Sequence, residues 1–144
     1  MKLKFQGDRG TAIVEFAIVL PLLILLLVGF IEFSLILYDK AVMTNASREG
    51  ARAGIVAQSP KVSDASIRGV VKNYCRTYLL TFGSDTIEDG DIAIAPGSPR
   101  DSLPFGTDLT VTLTYRYDFL ALPKFMSASL GPINLVARTT MRME

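Results

Sequence analysis

The sequence contains no histidine, no tryptophan and a single cysteine, Cys75. Without histidine there is no His-based triad, no imidazole metal ligand and no imidazole acid–base catalyst. A lone cysteine excludes an intrachain disulfide and any cysteine-cluster zinc site. Excess charge of either sign is also missing, since 15 Lys and Arg stand against 14 Asp and Glu for a net of +1. So neutral a chain lacks the basic surface that holds phosphate backbones, and nucleic acid is not an expected partner. Nucleophile elbows and Gly-rich phosphate loops are absent, and the acids are scattered through loops. These absences point away from an enzyme and toward a structural or binding protein that needs no cofactor and no metal.

Apolar residues are plentiful, at 49% of 144 residues with a mean hydropathy of +0.34. The length is that of one ordinary domain, and the apolar excess is concentrated near the N-terminus. A short basic leader, residues 1–10, carries Lys2, Lys4 and Arg9 against Asp8. Thr11 to Tyr38 is then almost wholly apolar, with no charge between Phe16 and Ile31. As a helix, its first twenty residues would cover about 30 Å, one hydrocarbon core. Leu, Ile and Val lie all around it with no polar stripe, as in a lipid-facing helix. The run is longer than the apolar part of a cleaved signal peptide, and no small-residue cleavage site follows it closely. The expectation is a single-pass span with a cytoplasmic N-terminus and an exported C-terminal domain, because long domains translocate largely regardless of their charge.

Glu15 does not suit a plain anchor. A carboxylate at the centre of a membrane helix costs about 2.5–3.5 kcal/mol, less near the interface, and is a functional-site candidate by default. Gly10-Thr11-Ala12-Ile13-Val14-Glu15-Phe16, between the basic leader and the apolar helix, resembles a type IV prepilin processing site. Farther on come Leu20-Pro21-Leu22, Ile31-Glu32-Phe33 and Ser47-Arg48-Glu49-Gly50-Ala51-Arg52. Together these resemble the TadE-like proteins of tight-adherence (Flp) pilus systems.

The resemblance implies a minor pilin or pseudopilin that acts in pilus assembly. It implies cleavage by a prepilin peptidase between Gly10 and Thr11, and pairing of Glu15 with an α-amine in the assembly. The implied partners are other pilins and pseudopilins, the peptidase and an inner-membrane assembly platform. The implied location is the bacterial inner membrane with a periplasmic head, the subunit either entering the pilus or only organising it. The alternative is an unprocessed, membrane-anchored periplasmic interaction module.

Each motif residue also has a structural reading. Pro21 can kink the span. Glu32 is expected at the outer interface, solvated. Gly50, Ala51, Ala53 and Gly54 make a small-residue face suited to close packing, within the chain or against a neighbour. Arg48, Glu49 and Arg52 can form local ion pairs worth about 0.3–0.5 kcal/mol, or face an interface.

Beyond the span, taken as 11–38, residues 39–144 read as an α+β head. The first helix should run on to about Gln58, stopped by Ser59-Pro60. A second helix should follow from a cap at Ser63 or Asp64 to about Leu80. Ile67, Val70, Val71, Tyr74, Tyr78 and Leu79 form its apolar stripe, with Cys75 buried beside it. Alternation then predicts strands at Asp91–Ala95, Leu109–Tyr117 and Leu135–Met141, in an antiparallel sheet packed on helix. Asp85, Glu88, Asp89 and Asp91 cluster around Gly90, at a spacing that suits a solvated turn better than an EF-hand calcium loop. The connection from Phe119 to Ile133 is too apolar for an ordinary loop and suggests a core cap, a partner contact or a membrane contact.

Overall fold

The structure is a computed structural model that describes residues 7–81, 87–119 and 131–143, with side chains from residue 10. Its largest element is α1, a single helix of 48 residues, Gly7–Gly54. The chain then crosses to α2, Asp64–Tyr78, and passes through a one-turn 3-10 helix, Asp89–Asp91. Three strands follow: β1 (Ile92–Ala95), β2 (Asp108–Tyr117) and β3 (Ile133–Arg142). They form one antiparallel sheet in the order β1-β2-β3. Ile92 lies opposite Leu113, and Tyr117 lies opposite Ile133. This is the α+β class with a long N-terminal helix, as the patterning predicted.

β2 shows how the layers fit. Leu109, Val111, Leu113, Tyr115 and Tyr117 are buried on one face, while the Thr and Arg residues between them are not. That alternation turns one face of the sheet onto the helices and the other to solvent. The core joins these side chains to Met43, Ala46 and Ala51 of α1, and to Ile67, Val71 and Cys75 of α2. Burial without a charge partner raises the Cys75 thiol to about 11, so it packs as a small hydrophobe.

The small residues of α1 belong to this packing. A Cβ at Gly50 would collide with Val71, and one at Gly54 would collide with Leu109 and Ile67. Ala51 is completely buried. Close approach of α2 and β2 is therefore the work of Gly50 and Gly54, inside the chain.

Two expectations need correcting. α1 ends at Gly54, four residues before Gln58, because the chain must leave the helix there to cross over to α2. Glycine, the least helical residue after proline, eases that exit. On α2, Tyr78 is half exposed rather than core, stacked against Tyr74 with ring centroids 4.8 Å apart. The described part of the acidic turn, Glu88 to Asp91, is largely exposed, in keeping with the solvated turn expected. Asp91 accepts the Glu88 N–H at 2.9 Å, and Asp89 pairs with Lys72 at 2.8 Å. Asp85, and Leu120 to Leu130 of the apolar connection, lie outside the described residues, as do Lys2 and Lys4 of the leader.

A buried cation joins the start of α2 to the loop after β1. Ser63 caps the helix by accepting the Ser66 N–H at 3.2 Å. Asp64 beside it accepts from the Ser98 N–H and hydroxyl at 3.1 and 2.9 Å, and from the buried Arg100 guanidinium. Arg100 also donates to the carbonyls of Val62 and Pro96. Burial alone would raise the Asp64 pKa, but the bonds from Ser98 and Arg100 outweigh it and hold the carboxyl below 3.8. A carboxyl depressed on folding stabilises the head above its unfolded pKa, and that contribution is lost as pH falls through the folded one. Stability should therefore decline with acidification below 3.8. Asp64→Ala should cost about 3–5 kcal/mol at neutral pH by stranding the Arg100 charge. Urea unfolding at several pH values checks both expectations.

Candidate functional site

α1 changes environment along its length. From Gly10 to Ile31 no residue is buried, and most are fully exposed, including Ile13, Phe16, Leu22, Leu26 and Phe30. Such a surface is stable only in a non-aqueous medium or against other apolar helices. The helix is long and apolar enough to cross a membrane. Residues 11–31 span about 31 Å, which matches the hydrocarbon thickness of a bilayer.

Sequence-predicted residues on this stretch carry no packing role. Gly10 would accept a Cβ without meeting any atom. Thr11 and Glu15 are exposed on the first turns. Pro21 lies inside the helix, which continues through it as one element even though its ring nitrogen cannot bond back to Ala17.

The head begins to cover α1 at Glu32. This side chain is 2% exposed, and Oε1 accepts a hydrogen bond from the Tyr117 hydroxyl at 2.7 Å. The expectation of a solvated Glu32 is thus overturned, because the end of β2 lies across it. Two turns farther on and on the same face, Asp39 is completely buried. One of its oxygens accepts the Leu80 N–H at 3.1 Å, and Oδ2 has no hydrogen-bond partner among the described residues. Burial, reinforced by the bond to Glu32 and by the negative charge nearby, raises the Tyr117 hydroxyl far above its ordinary value of 10.0. Tyr117 therefore keeps its proton and acts as a hydrogen-bond donor to Glu32.

Higher up, the segment Ser47 to Arg52 divides into two faces. Ser47 is buried, with its hydroxyl 2.7 Å from the Thr139 hydroxyl and donating to the Thr44 carbonyl at 2.9 Å. Gly50 and Ala51 face the core beside it. Arg48, Glu49 and Arg52 are exposed, and no ion pair joins them among the described residues. The local pairing weighed for these three does not form.

A family model described as TadE-like protein matches residues 10–52. Over this helix the chain is TadE-like. No curated protein and no solved structure matches it. The TadE-like segment takes in nearly the whole of α1, including both the uncovered apolar stretch and the half that carries the head.

The alternation of β2 identified Tyr117 only as an inward-facing strand residue, and nothing in the sequence connected it to Glu32. Asp39 went unnoticed, although its spacing of seven from Glu32 puts both acids on one face of a helix. Tyr117→Phe withdraws a donor from a buried carboxylate and should destabilise the head by about 1–3 kcal/mol. In a double-mutant cycle with Glu32→Gln, thermal unfolding in detergent should give a non-zero coupling energy. Strict additivity would mean that the hydrogen bond contributes nothing.

Proposed function

We propose that this chain is a minor pilin or pseudopilin acting in the assembly of a Tad (Flp) type pilus. In this reading a prepilin peptidase cuts it between Gly10 and Thr11, the N-terminus lies in the cytoplasm, and the head stands in the periplasm. The subunit is a non-enzyme whose partners are other pilins and the inner-membrane assembly platform. Support comes from one observation above all: a single helix offers an uncovered apolar stretch at its N-terminal end and carries the whole head at the other.

That division suits a subunit transferred from lipid to protein. In the bilayer the backbone of the span is satisfied internally and its side chains match acyl chains. Extraction into water would expose apolar surface at about 25 cal/mol per Å². Reburial against the helices of neighbouring subunits removes that cost.

Gly10 fits the proposed cleavage. Gly50 and Gly54 are needed because neighbours leave no room for a Cβ, whereas space around Gly10 is open. Its small size therefore answers no packing demand within the chain and suits recognition by a protease cleft. Cleavage would free an α-amine on Thr11, one turn from the only acid of the uncovered stretch, Glu15. In an assembly that excludes water, the Glu15 carboxylate supplies the counter-charge for a neighbour's amine. Arg48, Glu49 and Arg52, exposed beyond the span, offer charged surface to the same neighbours.

Intact mass of the protein from its native membrane tests the processing. The mature chain should begin at Thr11, and loss of Lys2, Lys4, Arg9 and Asp8 changes the side-chain net charge from +1 to −1. A full-length chain in cells with active prepilin peptidase would refute processing and leave the unprocessed anchor as the better reading.

Glu15→Leu should preserve both membrane insertion and cleavage while abolishing co-purification with other pilins. Removing one partner of a buried pair costs about 3–5 kcal/mol, enough to empty an assembly equilibrium. Undiminished association would show that Glu15 has no pairing role.

A further inference from the structure

The direction of β2 along α1 decides which end of the head meets the membrane. Leu109 lies beside Gly54 and Val111 beside Gly50, whereas Tyr117 reaches Glu32. β2 therefore descends along the helix toward the span, and its last residues share a level with the first covered residue of α1. Ile133 pairs with Tyr117, so the start of β3 lies there too. α2 comes down on the other side, where the Tyr38 hydroxyl donates to the Tyr78 carbonyl at 3.1 Å. The Leu80 N–H meets Asp39 at 3.1 Å.

The uncovered side of α1 marks where the membrane boundary falls. Along the row 33-37-41-45-48-52 every residue is exposed, and the chemistry changes midway. Phe33 and Leu37 are apolar, at 59% and 53% exposed. Ala41 is neutral, and Asn45, Arg48 and Arg52 are polar. The apolar exterior thus continues to Leu37 and Tyr38, while the head already covers the opposite side from Glu32. From Glu32 to Tyr38 is about 9 Å along the axis. With the hydrocarbon core ending near Ile31, the levels from Glu32 to about Leu35 fall in the headgroup layer, about 5–7 Å thick on each side, and Tyr38, about 10 Å above Ile31, stands at its outer edge.

We propose that the lower end of the head, formed by Phe119 and Ile133 with Tyr78 and Leu80 at its outer edge, is seated in the headgroup layer of the bilayer that holds α1. The inference rests on the membrane-anchoring reading of α1 and does not require pilus assembly. The chemistry of this surface suits an interface. Tyr38, Tyr78, Leu80 and Ile133 are between 39% and 50% exposed, so each presents apolar surface outward. Tyrosine, with an apolar ring and a polar tip, is enriched at that depth. The charged groups at this end have partners within the chain. Arg116 and Asp118 lie 3.9 Å apart, and the Lys40 amine donates to the Val136 carbonyl.

The absence of tryptophan provides the test, since each introduced Trp is a unique reporter. The full chain would be reconstituted in phosphatidylcholine–phosphatidylglycerol vesicles, with or without bromine on the upper acyl carbons. Phe119→Trp and Ile133→Trp report on the lower end, Leu23→Trp on the span. Phe105→Trp reports on the far end, where Phe105 is 85% exposed beside the Gly106–Met143 hydrogen bond. Brominated lipid should quench the two lower-end reporters at least twofold and leave Phe105→Trp unchanged. Emission of Ile133→Trp should also shift to the blue on reconstitution from detergent-free denaturant. Quenching of Leu23→Trp with neither lower-end reporter exceeding Phe105→Trp would overturn the seating while leaving the anchor intact. No quenching of Leu23→Trp would overturn the anchor and the seating with it. Pilus function can fail independently of either result, because the vesicles contain no partner.

Discussion

One helix serves two solvents, and the rest of the structure is arranged around the point where it passes between them. Below Glu32, α1 presents apolar side chains on every side and buries none. Above Glu32 it becomes the central rod of a small domain, in contact with α2, β2 and β3. A head of three strands and a fifteen-residue helix has little core of its own. Met43, Ala46 and Ala51 of α1 complete it. The head therefore cannot be separated from the helix without losing part of its interior. Any force on the span is transmitted directly into the sheet.

Legibility of the sequence followed the type of signal. Period-two alternation in β2 and helical spacing in α2 reflect burial on one face, so both elements could be placed within a residue or two. The apolar run was visible because its environment is uniform. Glu32 was misplaced because its burial depends on Tyr117, eighty-five residues away in the chain. No local pattern encodes such a contact. Tyr78 was placed in the core because helical spacing specifies a face but not how far the neighbouring layer extends. Arg100 was overlooked for a related reason. An arginine in a Pro- and Ser-rich connection reads as solvated, yet in the interior it bonds Asp64 and two carbonyls through its terminal nitrogens, while Nε finds no partner among the described residues.

The matched stretch, residues 10–52, contains two kinds of constraint that the sequence presents as one. Ser47, Gly50 and Ala51 are fixed by the chain's own interior, through the Thr139 hydroxyl and the close approach of Val71. Gly10, Glu15, Arg48, Glu49 and Arg52 are exposed, and among the described residues none of them packs into the core. The first group accounts for how the head is mounted on the helix. The second takes no part in that mounting.

The junction itself is polar where an apolar contact would have packed at less cost. Burying a carboxylate is expensive, and a leucine at position 32 would avoid the desolvation. What the carboxylate adds is a penalty for misalignment. Along β2 only alternate residues face α1, and a slip of one residue would bring Arg116 or Asp118 toward Glu32 in place of Tyr117. A slip by two residues toward the strand's C-terminal end would set Phe119, which has no donor, against a buried acid. Apolar side chains higher in the interface, such as Val111 and Leu113, discriminate far less among such registers because each could replace the other. The Glu32–Tyr117 hydrogen bond therefore selects the height at which the sheet is mounted, and with it the level of the lower end of the head relative to the membrane.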